Sequence, residues 1–135
     1  MDLTSTDTIR LTVPAASAAV RIARAGAAGL ATRAGFTYYE AEQLQLAVGE
    51  AAALLAPEPD GDGTLTLTFA VEPDGLRVEL YLTDPGRVGP DARREPVPDI
   101  AAAVLDGAVD SWHRDDDGRR FALHKRASDT GEDDD

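Results

Sequence analysis

The sequence predicts an α+β fold, a two-layer α/β sandwich with a mostly antiparallel sheet and its helices on one face. Three observations carry this. Five stretches read as half-buried strands, three of them by alternation of apolar and polar residues. Four of them form two pairs, each joined by a tight turn, which makes the partners antiparallel neighbours. Three further stretches carry apolar stripes at helical spacing, and such stripes need a sheet face to cover. A length of 135 residues bounds the whole to one domain.

The elements follow in order. Ile9, Leu11 and Val13 alternate with Arg10 and Thr12, giving a strand over 8–13 that Pro14 ends. From 17 to 34 the stripe Val20, Ala23, Ala27, Leu30, Ala31 and Ala34 reads as a helix, with Gly35 as its stop. Gly26 and Gly29 weaken this helix and suit close packing on a sheet. Thr37 followed by Glu40 is a capping-box pattern, so a second helix runs over 38–56 with Ala41, Leu44, Val48, Ala51 and Leu55 inward. Leu46, Glu50 and Leu54 share an adjacent face of it. Leu65, Leu67, Phe69 and Val71 define one strand, and Leu76, Val78, Leu80 and Leu82 the next. Glu72-Pro73-Asp74-Gly75 turns between them. Residues 84–98 hold six Gly and Pro and read as a long loop. A short helix over 100–107, capped by Asp99, precedes strands over 109–113 and 119–126. The turn Asp115-Asp116-Asp117-Gly118 joins those two strands and reads as an acidic β-turn rather than a calcium loop, since EF-hand spacing is absent.

Composition narrows the function. The net charge of −12 opposes binding to phosphate backbones or anionic lipid. The acids gather after residue 57, and five of them fall in the last nine residues, so the domain is placed at 8–126. A flexible N-terminus over 1–7 and a disordered acidic tail over 127–135 flank it. With no cysteine there is no disulfide, thiolate zinc site, iron–sulfur cluster or Cys nucleophile, and two histidines exclude a His-rich metal centre. No P-loop or nucleophile elbow is present. The N-terminus lacks the basic-then-apolar order of a signal peptide and no membrane-length apolar run follows, so a cytoplasmic protein is expected.

One constellation remains. Leu46-Ala47-Val48-Gly49-Glu50-Ala51 lies on the second helix, and the hairpin after it ends in Asp84-Pro85-Gly86. With the Ala23-Arg24 pair on the first helix and the order of elements, the chain resembles the bacterial anti-sigma regulatory factors of the serine-kinase type, small histidine-kinase-like (GHKL) ATPase domains. The resemblance covers about residues 8–126 and implies the histidine-kinase-like ATPase fold. It assigns Glu50 the place of the general base, and Asp84 with Gly86 the adenine side of the nucleotide site. The plain alternatives are a helix-face carboxylate paired with an arginine for Glu50 and a loop-start cap for Asp84.

The chain also departs from the family pattern. Where the family has a magnesium-binding asparagine, four residues after the glutamate, this chain has Leu54. Where the family has a glycine-rich phosphate box, it has Arg94-Glu95-Pro96-Val97-Pro98. Leucine offers no oxygen to a hard cation, and phosphoryl transfer depends on that cation. The resemblance therefore implies an anti-sigma factor that has lost its phosphate site and acts by binding. It would sequester an alternative sigma factor and be released by an anti-anti-sigma (STAS-domain) protein. Arg21 and Arg24 on the first helix are its candidate partner-binding residues. No cofactor is expected beyond weak binding of ATP or ADP at Asp84 and Gly86, and no metal. An active serine/threonine kinase and a non-catalytic adaptor of the same fold stay open as alternatives. So does a homodimer built on the first strand's edge or on Tyr38 and Tyr39.

Overall fold

A computed structural model describes residues 7–56, 63–83 and 96–128. Strand β1 (Asp7–Pro14) leads to helices α1 (Ala18–Arg33) and α2 (Tyr38–Leu55). Strands β2 (Thr64–Glu72) and β3 (Gly75–Thr83) form the central hairpin. Helix α3 (Asp99–Ala108) and strands β4 (Ser111–Arg114) and β5 (Arg120–Arg126) complete the chain. The sheet has the order β1-β2-β3-β5-β4 with every pair antiparallel. Alternation sends Leu65, Leu67, Phe69, Leu76, Val78, Leu80, Leu82, Phe121 and Leu123 to the helix-covered face, where all are buried. This is the expected α+β sandwich.

Local chemistry sets the boundaries. The Thr37 hydroxyl accepts from the Glu40 amide at 3.1 Å while Glu40 accepts the Thr37 amide at 2.8 Å, so the capping box is complete. Gly35 takes φ +82° just past α1, a conformation that favours glycine. Gly26 lies against the Phe69 ring, 3.4 Å from where a Cβ would stand, as close packing requires. Gly29 has nothing within 4 Å and plays no such part. Two boundaries differ from the sequence reading. Pro98, not Asp99, is the N-cap of α3, and Asp99 sits in the first turn, where its charge suits the helix dipole. Val109 still bonds back to the Leu105 carbonyl at 3.2 Å, which delays β4 to Ser111.

Helix α2 is buried on more than the expected stripe. Ala47, Gly49 and Ala52 are buried beside Leu44, Val48, Ala51 and Leu55. These small residues let α1 approach on one flank while the sheet takes the other. At Gly49 the approach is so close that a Cβ would stand 2.9 Å from Arg24 Cδ.

The end of β5 ties the molecule together. Lys125, the only lysine in the chain, is buried with 8% exposure. Its ammonium donates to the Ala108 carbonyl at 2.8 Å and to Gln43 Oε1 at 3.1 Å. The carbonyl end of α3 thus receives a cation where the helix dipole favours one. Gln43 also donates to the Gly107 carbonyl at 3.2 Å, so α2, α3 and β5 meet at one polar knot. The next residues continue the pattern. The Arg126 amide donates to Asp110, the Ala127 amide to the Asp74 carbonyl at 2.8 Å, and the Ser128 amide to Glu40 Oε2 at 2.9 Å. Ala127 and Ser128, assigned to the tail by charge, are therefore bonded to the domain. Residues 1–6 and 129–135 lie outside the described residues.

Burial raises the Glu40 carboxyl's pKa, but the hydrogen bonds from Thr37 and Ser128 outweigh it and hold the pKa below its ordinary value. A lowered folded-state pKa gives stability that is present above the unfolded value and lost as pH falls through the folded one. Glu40→Ala is expected to cost about 1 kcal/mol in urea unfolding at pH 7. The gap should narrow below the ordinary carboxylate range, and a pH-independent gap would refute this role. Lys125→Met keeps the stem but strands the buried Ala108 carbonyl and the part-buried Gln43 Oε1, an expected loss of about 1–3 kcal/mol in the same assay. Gly75 has a different constraint: a Cβ there would overlap the Lys125 carbonyl oxygen of the neighbouring strand. Gly75→Ala should therefore cost about 1–3 kcal/mol, and a wild-type urea midpoint would contradict that.

Candidate functional site

Two places on the helix layer hold the residues that the sequence singled out. The first is the C-terminal half of α2. Glu50 is half-buried there and makes no hydrogen bond or ion pair among the described residues. No arginine among the described residues pairs with it, and Arg87, Arg93 and Arg94 lie outside them. One turn on, Leu54 packs against the hydrophobic core, and Val97, just before α3, does the same. A cavity of about 170 Å³ lies between them, lined by Leu54, Pro96, Val97, Pro98, Arg114, Gly118 and Phe121. Among the described residues no carboxylate, amide or hydroxyl side chain lines it, and their one charged group there is the cation Arg114. Magnesium, which demands near-octahedral oxygen ligands, does not fit this lining. The volume also lies below the roughly 300 Å³ at which ordinary ligand pockets begin. Asp84 and Gly86, the expected adenine side, lie outside the described residues.

The second place is a groove of about 570 Å³ over the N-terminal half of α2. Tyr39, Glu42, Gln43 and Leu46 form one wall, and Ala103, Val104 and Gly107 of α3 the other, with Arg24 of α1 at one side. Arg24 reaches it because its Cγ and Cδ lie across Gly49, the residue before Glu50. Tyr39 and Leu46 are 67% and 46% exposed, so the groove presents apolar surface to solvent. Arg21 is also exposed on α1 but does not line the groove. The sequence marked Arg24 and Leu46, yet gave no sign that α3 would face them. That wall comes from contacts some 60 residues apart, such as Gln43 to Gly107.

The remaining candidates are accounted for locally. Asp115 Oδ1 accepts the amides of Arg119 and Arg120 at 3.0 and 3.2 Å, which makes 115–118 a turn as read. Trp112 stacks obliquely on Phe121 with ring centres 6.1 Å apart and donates to Asp106 of α3 at 2.8 Å. β1 is one edge of the sheet, and Tyr38 is 79% exposed. Among the described residues no helix is long and apolar enough to cross a membrane.

No family model matches the chain. Curated relatives do. The serine-protein kinase RsbW of Halalkalibacterium halodurans is 33% identical over 110 residues, which cover 73% of this chain and 67% of that protein. RsbW of Bacillus subtilis is 39% identical over 83 residues, covering 59% and 51%, and RsbW of Listeria monocytogenes is 35% identical over 77 residues, covering 55% and 49%. The chain thus spans about half the length of the Bacillus and Listeria relatives. The extent of the first match, together with a sheet and helix order that fit the ATPase sandwich, places the protein in a family. The chain belongs to the RsbW serine-protein kinases, the serine-kinase type of anti-sigma regulatory factor.

Proposed function

We propose that this protein is an anti-sigma factor that works by binding competition and largely without catalysis. It holds an alternative sigma factor and releases it when an anti-anti-sigma protein of the STAS-domain type docks. The observation that carries this reading is Leu54. It stands at the metal-binding asparagine position and packs with Val97 into the core at the phosphate end of the site. The Leu54 side chain offers a dication no oxygen, so a γ-phosphate there loses the metal that would neutralise its charge. ATP or ADP binding is at most weak, through Asp84 and Gly86.

Partner binding needs a surface rather than a reaction. The groove beside Arg24 offers exposed apolar groups with a cation at one side, and Arg21 extends the positive patch along α1. The net charge of −12 favours encounter with a sigma factor, whose DNA-binding surfaces are basic. The same charge speaks against direct nucleic-acid or membrane partners. A homodimer through the β1 edge or the exposed Tyr38 and Tyr39 is compatible with this role. A second reading, an active serine/threonine kinase that phosphorylates the anti-anti-sigma protein with Mg-ATP, draws on the relatives' names and on Glu50 at the base position.

In a sigma-dependent transcription assay, excess protein should inhibit, and Arg24→Glu should weaken inhibition at least tenfold without lowering the unfolding midpoint. Absence of inhibition by the folded wild-type chain would sink the anti-sigma reading. With Mg-ATP and an anti-anti-sigma partner, no labelled phosphate should be transferred. Transfer that disappears in Glu50→Ala would establish the kinase reading instead.

A further inference from the structure

We propose that Glu72, Asp74 and His124 form a binding site for one zinc ion at the turn between β2 and β3. It lies away from both places described on the helices and uses none of their residues. Glu72 ends β2, Asp74 sits in the two-residue turn, and His124 projects from β5 beside them. The Nε2 atom of His124 is buried and has no hydrogen-bond partner. It faces two carboxylate oxygens, Glu72 Oε1 at 3.7 Å and Asp74 Oδ1 at 3.9 Å. These distances are too long for hydrogen bonds. They are close to what a shared metal requires: two atoms bound to one zinc at about 2.1 Å stand about 3.4 Å apart at the tetrahedral angle. All three ligand atoms lie within 4.8 Å of one another, so closing the triad takes a contraction on the order of 1 Å.

The surroundings aim the ligands. Arg77 Nε donates to the far oxygen of Glu72, Oε2, at 3.1 Å. Arg126 Nε lies 3.9 Å from the far oxygen of Asp74, Oδ2. The Arg77 guanidinium thus holds the outer oxygen of Glu72 and leaves the inner one turned to the imidazole, as outer-shell partners of metal ligands do, while Arg126 stands at ion-pair distance from the outer oxygen of Asp74. The Ala127 amide fixes the turn by donating to the Asp74 carbonyl. A nitrogen with two carboxylates suits zinc, whereas magnesium and calcium prefer oxygen alone. Three protein ligands leave a fourth position for water. The two arginines oppose the dication, so affinity should fall below that of a closed four-ligand site. Bound zinc would clamp the β2–β3 turn to β5.

Calorimetric titration of the EDTA-stripped full chain with zinc chloride tests this. One zinc should bind per chain, and a hundredfold excess over Kd should raise the melting temperature by several degrees. His124→Ala and the near-isosteric Asp74→Asn should each weaken binding at least tenfold, while His113→Ala leaves it unchanged. No zinc uptake by the wild-type chain would overturn the proposal. So would undiminished uptake by both the His124→Ala and the Asp74→Asn chains, which would assign the zinc to acidic residues elsewhere.

Discussion

The structure depends on what five consecutive residues do where β5 ends. Strand alternation sends His124 to the open face and Lys125 to the core face, and the chain then turns across the edge of the helix layer. Lys125 meets α3 and α2, Arg126 meets Asp110, Ala127 meets the β2–β3 turn, and Ser128 meets the capping carboxylate of α2. A buried ammonium is costly unless it is bonded. Lys125 meets that demand by using carbonyl and amide oxygens that would otherwise be orphans, so the cost of burial and the cost of an uncapped helix end offset each other.

This knot decides where α3 stands. Its C-terminal turn is pinned against Gln43, which sets the far wall of the groove that Arg24 and Leu46 open onto. Its N-terminal end then falls beside Leu54, with Pro96 to Pro98 in between. Gln43 and Leu54 are eleven positions apart on α2, about 16 Å along the helix. One interaction therefore positions two surfaces, the groove beside Arg24 and the apolar end of α2 at Leu54.

Much of this was legible in the sequence, because it is local. Alternation marked β1, β2 and β3, Thr37 and Glu40 marked the start of α2, and Glu72 to Gly75 marked the central turn. The misses are non-local. Ala47 and Ala52 look like ordinary helix formers until α1 and the sheet close on both flanks. Gly75 looks like a turn glycine, yet its constraint is the Lys125 carbonyl of another strand. Lys125 itself occupies a core-facing position that alternation assigns to an apolar residue, and only the end of α3 explains it. The Glu72, Asp74 and His124 cluster needs two distant segments, the β2–β3 turn and β5, to meet, which no spacing along the chain announces. Glu50, Leu54 and Arg24 were singled out in the sequence and are described in the structure, while Asp84 and Gly86 lie outside the described residues.

The separation of the two ends bears on how such a domain loses chemistry without losing its fold. The polar groups that hold the layers together lie at the N-terminal half of α2, the C-terminus of α3 and the end of β5. Leu54, Val97 and Phe121 lie at the opposite ends of those elements or beside them. A leucine at that end packs against the core where an oxygen ligand would have to be desolvated, which adds to stability rather than drawing on it. A catalytic site resists such a change because its polar groups serve the reaction and burden the fold. Under the proposed binding role that opposition would be gone at Leu54. Selection can then act on the groove at the other end, where Arg24 lies over Gly49 and no phosphate chemistry is required.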